Sequence, residues 1–274
     1  TTLDATPDKS KTDVQVSHFA ALQNATLKGK RLGVLRYAQG SQPGIVQKFE
    51  GALRAISAAG AELIDITQRP DRPPEFPAQA RQVMSAEFKH SINKYLSTAA
   101  DAVDVQTLAE LIAFNQKHAA VEMPLFGQDI FEHALDAVGV DHPDYRKALS
   151  AIRQATQESG IDALLAEHRL DALLFPSGPL VPAIDVINGD VWPDWVGDGA
   201  SAAIAGYPHL TVPMGTVRGA PIGLSFVAGG GEDAKVLALG HAFEQLTGFR
   251  VEPRFLPTAV SQPEVSEAMN PRRK

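Results

Sequence analysis

Two short apolar runs flank an amphipathic segment between Arg31 and Ile66, and that succession narrows the architecture sharply. RLGVLR carries Leu32, Val34 and Leu35 as a strand. From Ile45 to Ala59, the residues Ile45, Phe49, Ala52, Leu53 and Ile56 recur at helical spacing, and Gly60 suits a C-cap. AELIDI then gives a second strand. Strand, helix and strand in this order predict a parallel pair joined by a right-handed crossover. Three more strands follow late in the chain. Leu173-Leu174-Phe175 ends at Pro176, and HLTVPMG and PIGLSFVAG are joined through Val217-Arg218-Gly219-Ala220 as a hairpin. The class is α/β.

The middle of the chain reads as helical. Phe76 to Leu96 carries Val83, Phe88, Ile92 and Tyr95 at helical spacing, and Thr107 to His118 turns Leu108, Leu111, Ile112 and Phe114 inward. A further helical segment follows Pro124. His142-Pro143 opens a long helix through Ala166, with Ala148, Ile152, Ala155 and Leu164 among its apolar positions. Pro179 to Gly199 is a loop rich in Pro, Gly and Asp that holds Trp192 and Trp195. A loop of that length points to function or to a covering partner. Ser201 is placed to cap a turn over Ala202–Ala205, and Glu232 starts a helix that closes at Gly248. The organisation is a flexible lead-in over 1–13, one domain over 14–257 and a polar tail over 258–274. Threonine at residue 1 implies a processed, cleaved or engineered start.

Composition excludes several classes. Cysteine is absent, which removes disulfides, thiol nucleophiles and Cys-ligated metals. The formal charge is −7 and basic residues are scattered apart from a terminal Pro-Arg-Arg-Lys, so no nucleic-acid surface is expected. No apolar run reaches the ~18–20 residues of a membrane span. The expectation is a soluble chain, cytoplasmic or periplasmic. The eight histidines include no HExxH pair, so no metal is expected. Gly229-Gly230-Gly231 lacks the surroundings of a phosphate loop, and a flexible strand-to-helix connection accounts for it. Thr1 heads a polar segment with nothing to hold it rigid, against a role as an N-terminal nucleophile.

A succession of motifs goes further. Ala205-Gly206-Tyr207-Pro208, then Leu210-Thr211-Val212-Pro213-Met214-Gly215, then Gly219-Ala220-Pro221-Ile222-Gly223-Leu224, resembles the C-terminal half of amidase-signature enzymes. Ala242-Phe243-Glu244-Gln245 is similar to that family's closing helix. Leu108-Ala109-Glu110-Leu111-Ile112-Ala113-Phe114-Asn115 and Leu125-Phe126-Gly127-Gln128 look like the branch containing bacterial peptide amidases, which convert C-terminal peptide amides to acids and ammonia. The resemblance implies the C-terminal portion of a mixed-sheet amidase-signature fold with helices on both faces. In that family a lysine acts through a serine held in a cis peptide on a nucleophilic serine. This chain has no Ser-Ser dipeptide and no matching glycine-rich loop, so no catalytic residue is carried over.

What the resemblance implies is therefore a substrate-binding wall of a serine amidase acting on linear carboxamides, with no cofactor, since serine acylation needs neither metal nor nucleotide. The Ser-cisSer-Lys residues would come from a missing N-terminal half or separate chain, and this chain alone would be inactive. The alternative is a non-catalytic binding or scaffold module derived from an amidase. Ser177, displayed in PSGP after a strand, matches a family position near the substrate channel, and Pro176 precedes it. Phe126 and Gln128 are candidates to contact substrate, with helix packing and capping as the competing reading. Ser201 is a candidate to hold the substrate loop. Asp185, Asn188 and Asp190 are more simply turn residues.

Overall fold

The computed structural model describes residues 18–100, 103–182, 189, 194–253 and 255. The sequence-predicted lead-in, the polar tail, Trp192 and the turn residues Asp185, Asn188 and Asp190 lie outside them. The chain forms two compact units: residues 1–77 with 150–251, and residues 78–149 with 252–274.

The first unit opens with α1 (His18–Gln23), β1 (Arg31–Leu35), α2 (Pro43–Ala58) and β2 (Glu62–Ile66). The chain crosses into the second unit with α3 (Phe76–Leu96), then α4 (Leu108–Lys117), α5 (Ala119–Glu122) and α6 (Asp129–Leu135). It returns along α7 (Pro143–Thr156). The first unit then continues with α8 (Asp162–His168), β3 (Ala172–Pro176), α9 (Gly199–Ala205), β4 (His209–Val217), β5 (Ala220–Val227) and α10 (Asp233–Thr247).

One sheet organises the first unit, in the order β2-β1-β3-β5-β4. β1 runs parallel to β2 and to β3, while β5 is antiparallel to both β3 and β4. The crossover helix α2 starts on Pro43 at its first turn, with the Gln42 side chain accepting from the Ile45 amide at 2.7 Å. The hairpin turns on Arg218 (φ 52°) and Gly219 (φ 84°), the double positive φ that matches the twist of the two strands. Its ladder shifts between Pro213 and Gly215, where proline offers no amide and Gly215 sits at φ 112°.

Strand alternation divides the core. Leu32, Val34, Leu174, Leu224 and Phe226 pack with α2 and α10 through Ile45, Phe49, Ile56, Leu239 and Phe243. Leu35, Leu173, Phe175 and Val227 face the other way, onto Ile161 and Leu164 and onto Ala202 and Ala205 of α9. Helix elements and strands thus extend from His18 to Thr247. The expected C-terminal portion of the fold is corrected on this point, since the elements run through nearly all of the described residues. Edge strand β2 shows solvent Glu62 and Asp65, which pair with Arg31 and Arg36 of β1 and its following turn. Charged side chains on an edge discourage further pairing.

Two helix expectations also change. The long helix predicted through Ala166 is interrupted by a π-turn over Gln157–Ile161. A Cβ at Gly160 would lie 2.7 Å from the Ala155 carbonyl oxygen, so glycine admits the wide turn. α9 starts at Gly199 with Asp198 at its N-cap, so Ser201 lies inside the helix and does not cap it.

In the second unit, Leu108 and Ile112 of α4 bury against Ala134, flanked by Phe88, Ile92 and Phe131. Phe88 and Phe131 stack at 5.4 Å. Phe114, expected inward, is exposed with its ring against His118, and Tyr95 of the α3 pattern is exposed too. The Thr107 hydroxyl accepts from the Glu110 amide at 3.2 Å, and the Glu110 carboxylate accepts from the Gln106 amide at 2.7 Å. Replacing Thr107 by alanine is expected to cost about 1 kcal/mol, the usual loss for a hydroxyl N-cap. Thr107→Ser should restore it, as read from thermal melts of the three proteins.

Candidate functional site

β3 delivers its last residue, Pro176, to the carboxyl end of the two parallel pairs. Open α/β sheets commonly place ligands at such an end. Ser177 follows, and its amide donates to the Gly223 carbonyl at 2.8 Å, which extends the β3–β5 pairing by one bond. Its hydroxyl accepts from Ser225 Oγ at 2.9 Å. Ser225 is fully buried in β5, and its Oγ lies 2.7 Å from Nε2 of His209 at the start of β4.

Three elements therefore align His209, Ser225 and Ser177 in one hydrogen-bonded row. Two glycines leave room for it. A Cβ at Gly223 would come 2.8 Å from Ser177 Oγ and 2.5 Å from Thr211 Cγ2, and one at Gly199 would come 2.8 Å from His209 Cε1. The His209 ring also packs on Phe175, with centroids 5.7 Å apart. Partial burial of the ring lowers its pKa from 6.5, because the charged form loses some of its water. His209 is thus neutral near pH 7.

A second polar group lies around α9. The Asp198 carboxylate, only 9% exposed, meets Arg69 at 3.3 Å and Arg72 at 3.6 Å and accepts from the Tyr37 hydroxyl at 3.2 Å. Burial, followed by the Asp198 charge, raises the Tyr37 pKa. Arg72 also donates to Ser201 Oγ at 2.5 Å and lies over the Phe76 ring. The adjoining cavity, bounded by Tyr37, Thr156, Phe175, Asp198 and Ser201, is about 20 Å³. That is room for about one water, far below the ~300 Å³ at which ligand pockets begin. Ser201 thus faces a closed polar knot. A larger open groove of about 440 Å³ runs between residues 65–71 and 159–168, and none of the predicted residues lines it.

The structure brings Pro176 and Ser177 together and leaves Ser201 in the neighbouring group. Phe126 and Gln128 belong to the second unit. Phe126 is 82% exposed. The Gln128 side chain donates to the Ile112 carbonyl at 3.1 Å and accepts from Asn115 at 3.1 Å, so its amide links α4 to the start of α6. Among the described residues no lysine hydrogen-bonds to Ser177, Ser201 or Ser225, and no group of three His, Asp or Glu side chains could hold a metal ion. No described helix is long and apolar enough to cross a membrane. Chemically the row can offer a hydroxyl to a carbonyl or amide group.

His209 and Ser225 were not found from the sequence. The available signal was Ser225 itself, a lone hydroxyl in the apolar run PIGLSFVAG, because a buried hydroxyl demands a partner.

Known proteins bear on this geometry. The sequence model of the family described as Amidase matches residues 1–237. A probable amidase of Arabidopsis thaliana is 28% identical over 239 residues, which cover 86% of this chain and 41% of that protein. The native peptide amidase of Stenotrophomonas maltophilia superposes with a TM-score of 0.74 at 33% identity, covering 87% of this chain and 47% of the other. A peptide amidase bound to the competitive inhibitor chymostatin gives 0.78 at 33% identity, covering 92% and 51%. The chain spans about half the length of the relatives it matches.

The family match corrects the expectation of a C-terminal half alone, since it begins at residue 1 and runs to 237. With it go the separate N-terminal half or chain expected as a partner, the import of the catalytic residues from it, and the inactivity expected of this chain by itself.

Proposed function

This chain belongs to the amidase family, and we propose that it acts on linear carboxamides, peptide amides first among them, releasing acid and ammonia. The likeness to peptide amidase structures at 33% identity supports that choice of substrate. The carrying observation is the display of Ser177 at the end of β3, with its amide on Gly223 and its hydroxyl on Ser225. Gly223 stands in the APIGL stretch that resembles the family motif. Pro176 and Ser177 form the floor that meets the carboxamide, and Ser201 steadies the loop leading into α9. Within the second unit, exposed Phe126 lies in the segment between α5 and α6. Gln128, whose amide is engaged on both sides, positions that segment.

Ammonia release from a C-terminal peptide amide, matched one for one by free acid, is the expected result with the purified protein. Ser177→Ala should raise KM about 5–10-fold, the worth of one hydrogen bond to substrate, with an unchanged melting curve. A protein that neither binds nor turns over peptide amides overturns this reading. Binding without ammonia would leave the binding-module alternative.

A further inference from the structure

The row from His209 to Ser177 contains one hydroxyl with a single proton and two partners, and the partner that receives it decides what Ser177 shows outward. Ser225 is wholly buried, with Ser177 Oγ at 2.9 Å and His209 Nε2 at 2.7 Å. A hydroxyl has one proton to give. Given to Ser177, it obliges His209 to donate through Nε2–H, and the Ser177 proton is left pointing outward. Given to His209, it obliges Ser177 to donate inward, and only lone pairs face out.

We propose that His209 and Ser225 are positioning residues that turn the Ser177 hydroxyl outward as a donor to the carbonyl oxygen of the substrate carboxamide. This rests on the amide-binding reading above and adds to it the origin of that selectivity. The carbonyl oxygen of a carboxamide only accepts, so the polarity that fits it is the one leaving the Ser177 proton outward, and the 2.9 and 2.7 Å separations admit it. The ring is held for it by Phe175 on one side and by the absence of a side chain at Gly199.

The elements packed on His209 are β3, α9 and β5. Among the described residues the charged groups closest to it along them are Asp198, which precedes α9, and its partners Arg69 and Arg72. The lowering of the ring pKa is due to burial alone. Protonation as pH falls adds a proton at Nδ1 and leaves Nε2–H in place, so the outward polarity survives. In the opposite polarity Nε2 is an acceptor, and protonation would destroy it. Affinity for an amide should therefore stay level or tighten as pH falls from 8 to 5.

The test uses acetyl-phenylalaninamide as probe, with Kd from calorimetry, and 15N-resolved imidazole NMR of the free protein. Nε2–H is expected as the neutral tautomer of His209, and Ser225→Ala is expected to lose that preference. Ser225→Ala and Ser177→Ala should each weaken binding about 5–10-fold, and the double variant no more than Ser177→Ala alone. His209→Gln, which keeps a donor near the Nε2 position, should bind within about twofold of the parent, while His209→Leu should match Ser225→Ala. His209 stands at the exposed start of β4, so its variants serve if Ser225→Ala fails to fold. An Nδ1–H tautomer, affinity that collapses below pH 6.5, or losses that add in the double variant would each overturn the array while leaving amide binding intact. No binding by the parent at any pH would overturn both.

Discussion

Removing both arginines that face Asp198 is expected to cost about 3–5 kcal/mol, whereas removing Asp198 itself should cost less, about 2–3 kcal/mol. The asymmetry follows from exposure. The Asp198 side chain is 9% exposed, while Arg69 and Arg72 are 44% and 23% exposed. Arg69→Ala with Arg72→Ala strands a carboxylate to which, among the described residues, the Tyr37 hydroxyl is the side-chain donor left, and an unpaired buried charge carries most of the penalty of a broken pair. Asp198→Ala instead frees two guanidiniums, of which Arg69 reaches water and Arg72 keeps Ser201 and the Phe76 ring. The Arg146–Asp141 pair, 69% and 98% exposed, is the control, and Arg146→Ala should change stability by less than about 1 kcal/mol. Urea titrations of the four proteins rank the costs. Equal costs for the acid and the base removals would show that burial of Asp198 is not what matters.

The same cluster marks where sequence reasoning stops. The strands and the crossover helix were readable because they depend on local periodicity: Ile45, Phe49, Ala52, Leu53 and Ile56 are all buried on one side of α2. The resemblance motifs were readable because their order along the chain survives without coordinates. Asp198, Arg69, Arg72 and Tyr37 carry no such signal, since a loop, a turn and a helix start meet only after the sheet has formed.

The histidine row failed to appear for a different reason. Counting back from Val217 and Ala220 without interruption would pair Thr211 with Phe226. The shift between Pro213 and Gly215 pairs it with Ser225 instead. One residue of register moves a side chain to the opposite face of a strand, so the face shared by His209 and Ser225 is legible only once the bulge is placed. Phe114, expected inward but exposed, departs for another reason. Helical spacing identifies a stripe, and the stripe's width depends on what packs against it, which for α4 is the small patch around Ala134 and Phe131.

A single methyl group at Gly197 is expected to be the most damaging small change near Ser177. Gly197 lies at φ +94°, and a Cβ there would approach the carbonyl oxygens of Ser177 and Pro176 at 2.9 and 3.0 Å. Both obstacles are backbone, so no side-chain rotation relieves them. The residue cannot simply withdraw either, since its amide donates to the Ala38 carbonyl at 2.8 Å. The left-handed backbone alone costs roughly 1–2 kcal/mol for a residue with a Cβ, and forced backbone movement adds about 1–3 kcal/mol. Gly197→Ala should therefore lose about 2–5 kcal/mol, a fall in Tm of roughly 4–20 °C at about 2–4 °C per kcal/mol. Gly248→Ala separates the two contributions: its φ is +57° and nothing lies within 4 Å of the added carbon, so it should lose only the backbone share. Because the carbonyls pushed aside belong to Pro176 and Ser177, amide binding by Gly197→Ala should weaken well below its melting point, while Gly248→Ala binds as the parent does. Equal Tm losses for the two variants, with amide binding intact in both, would mean that the loop before α9 yields freely and does not hold the Ser177 turn in place.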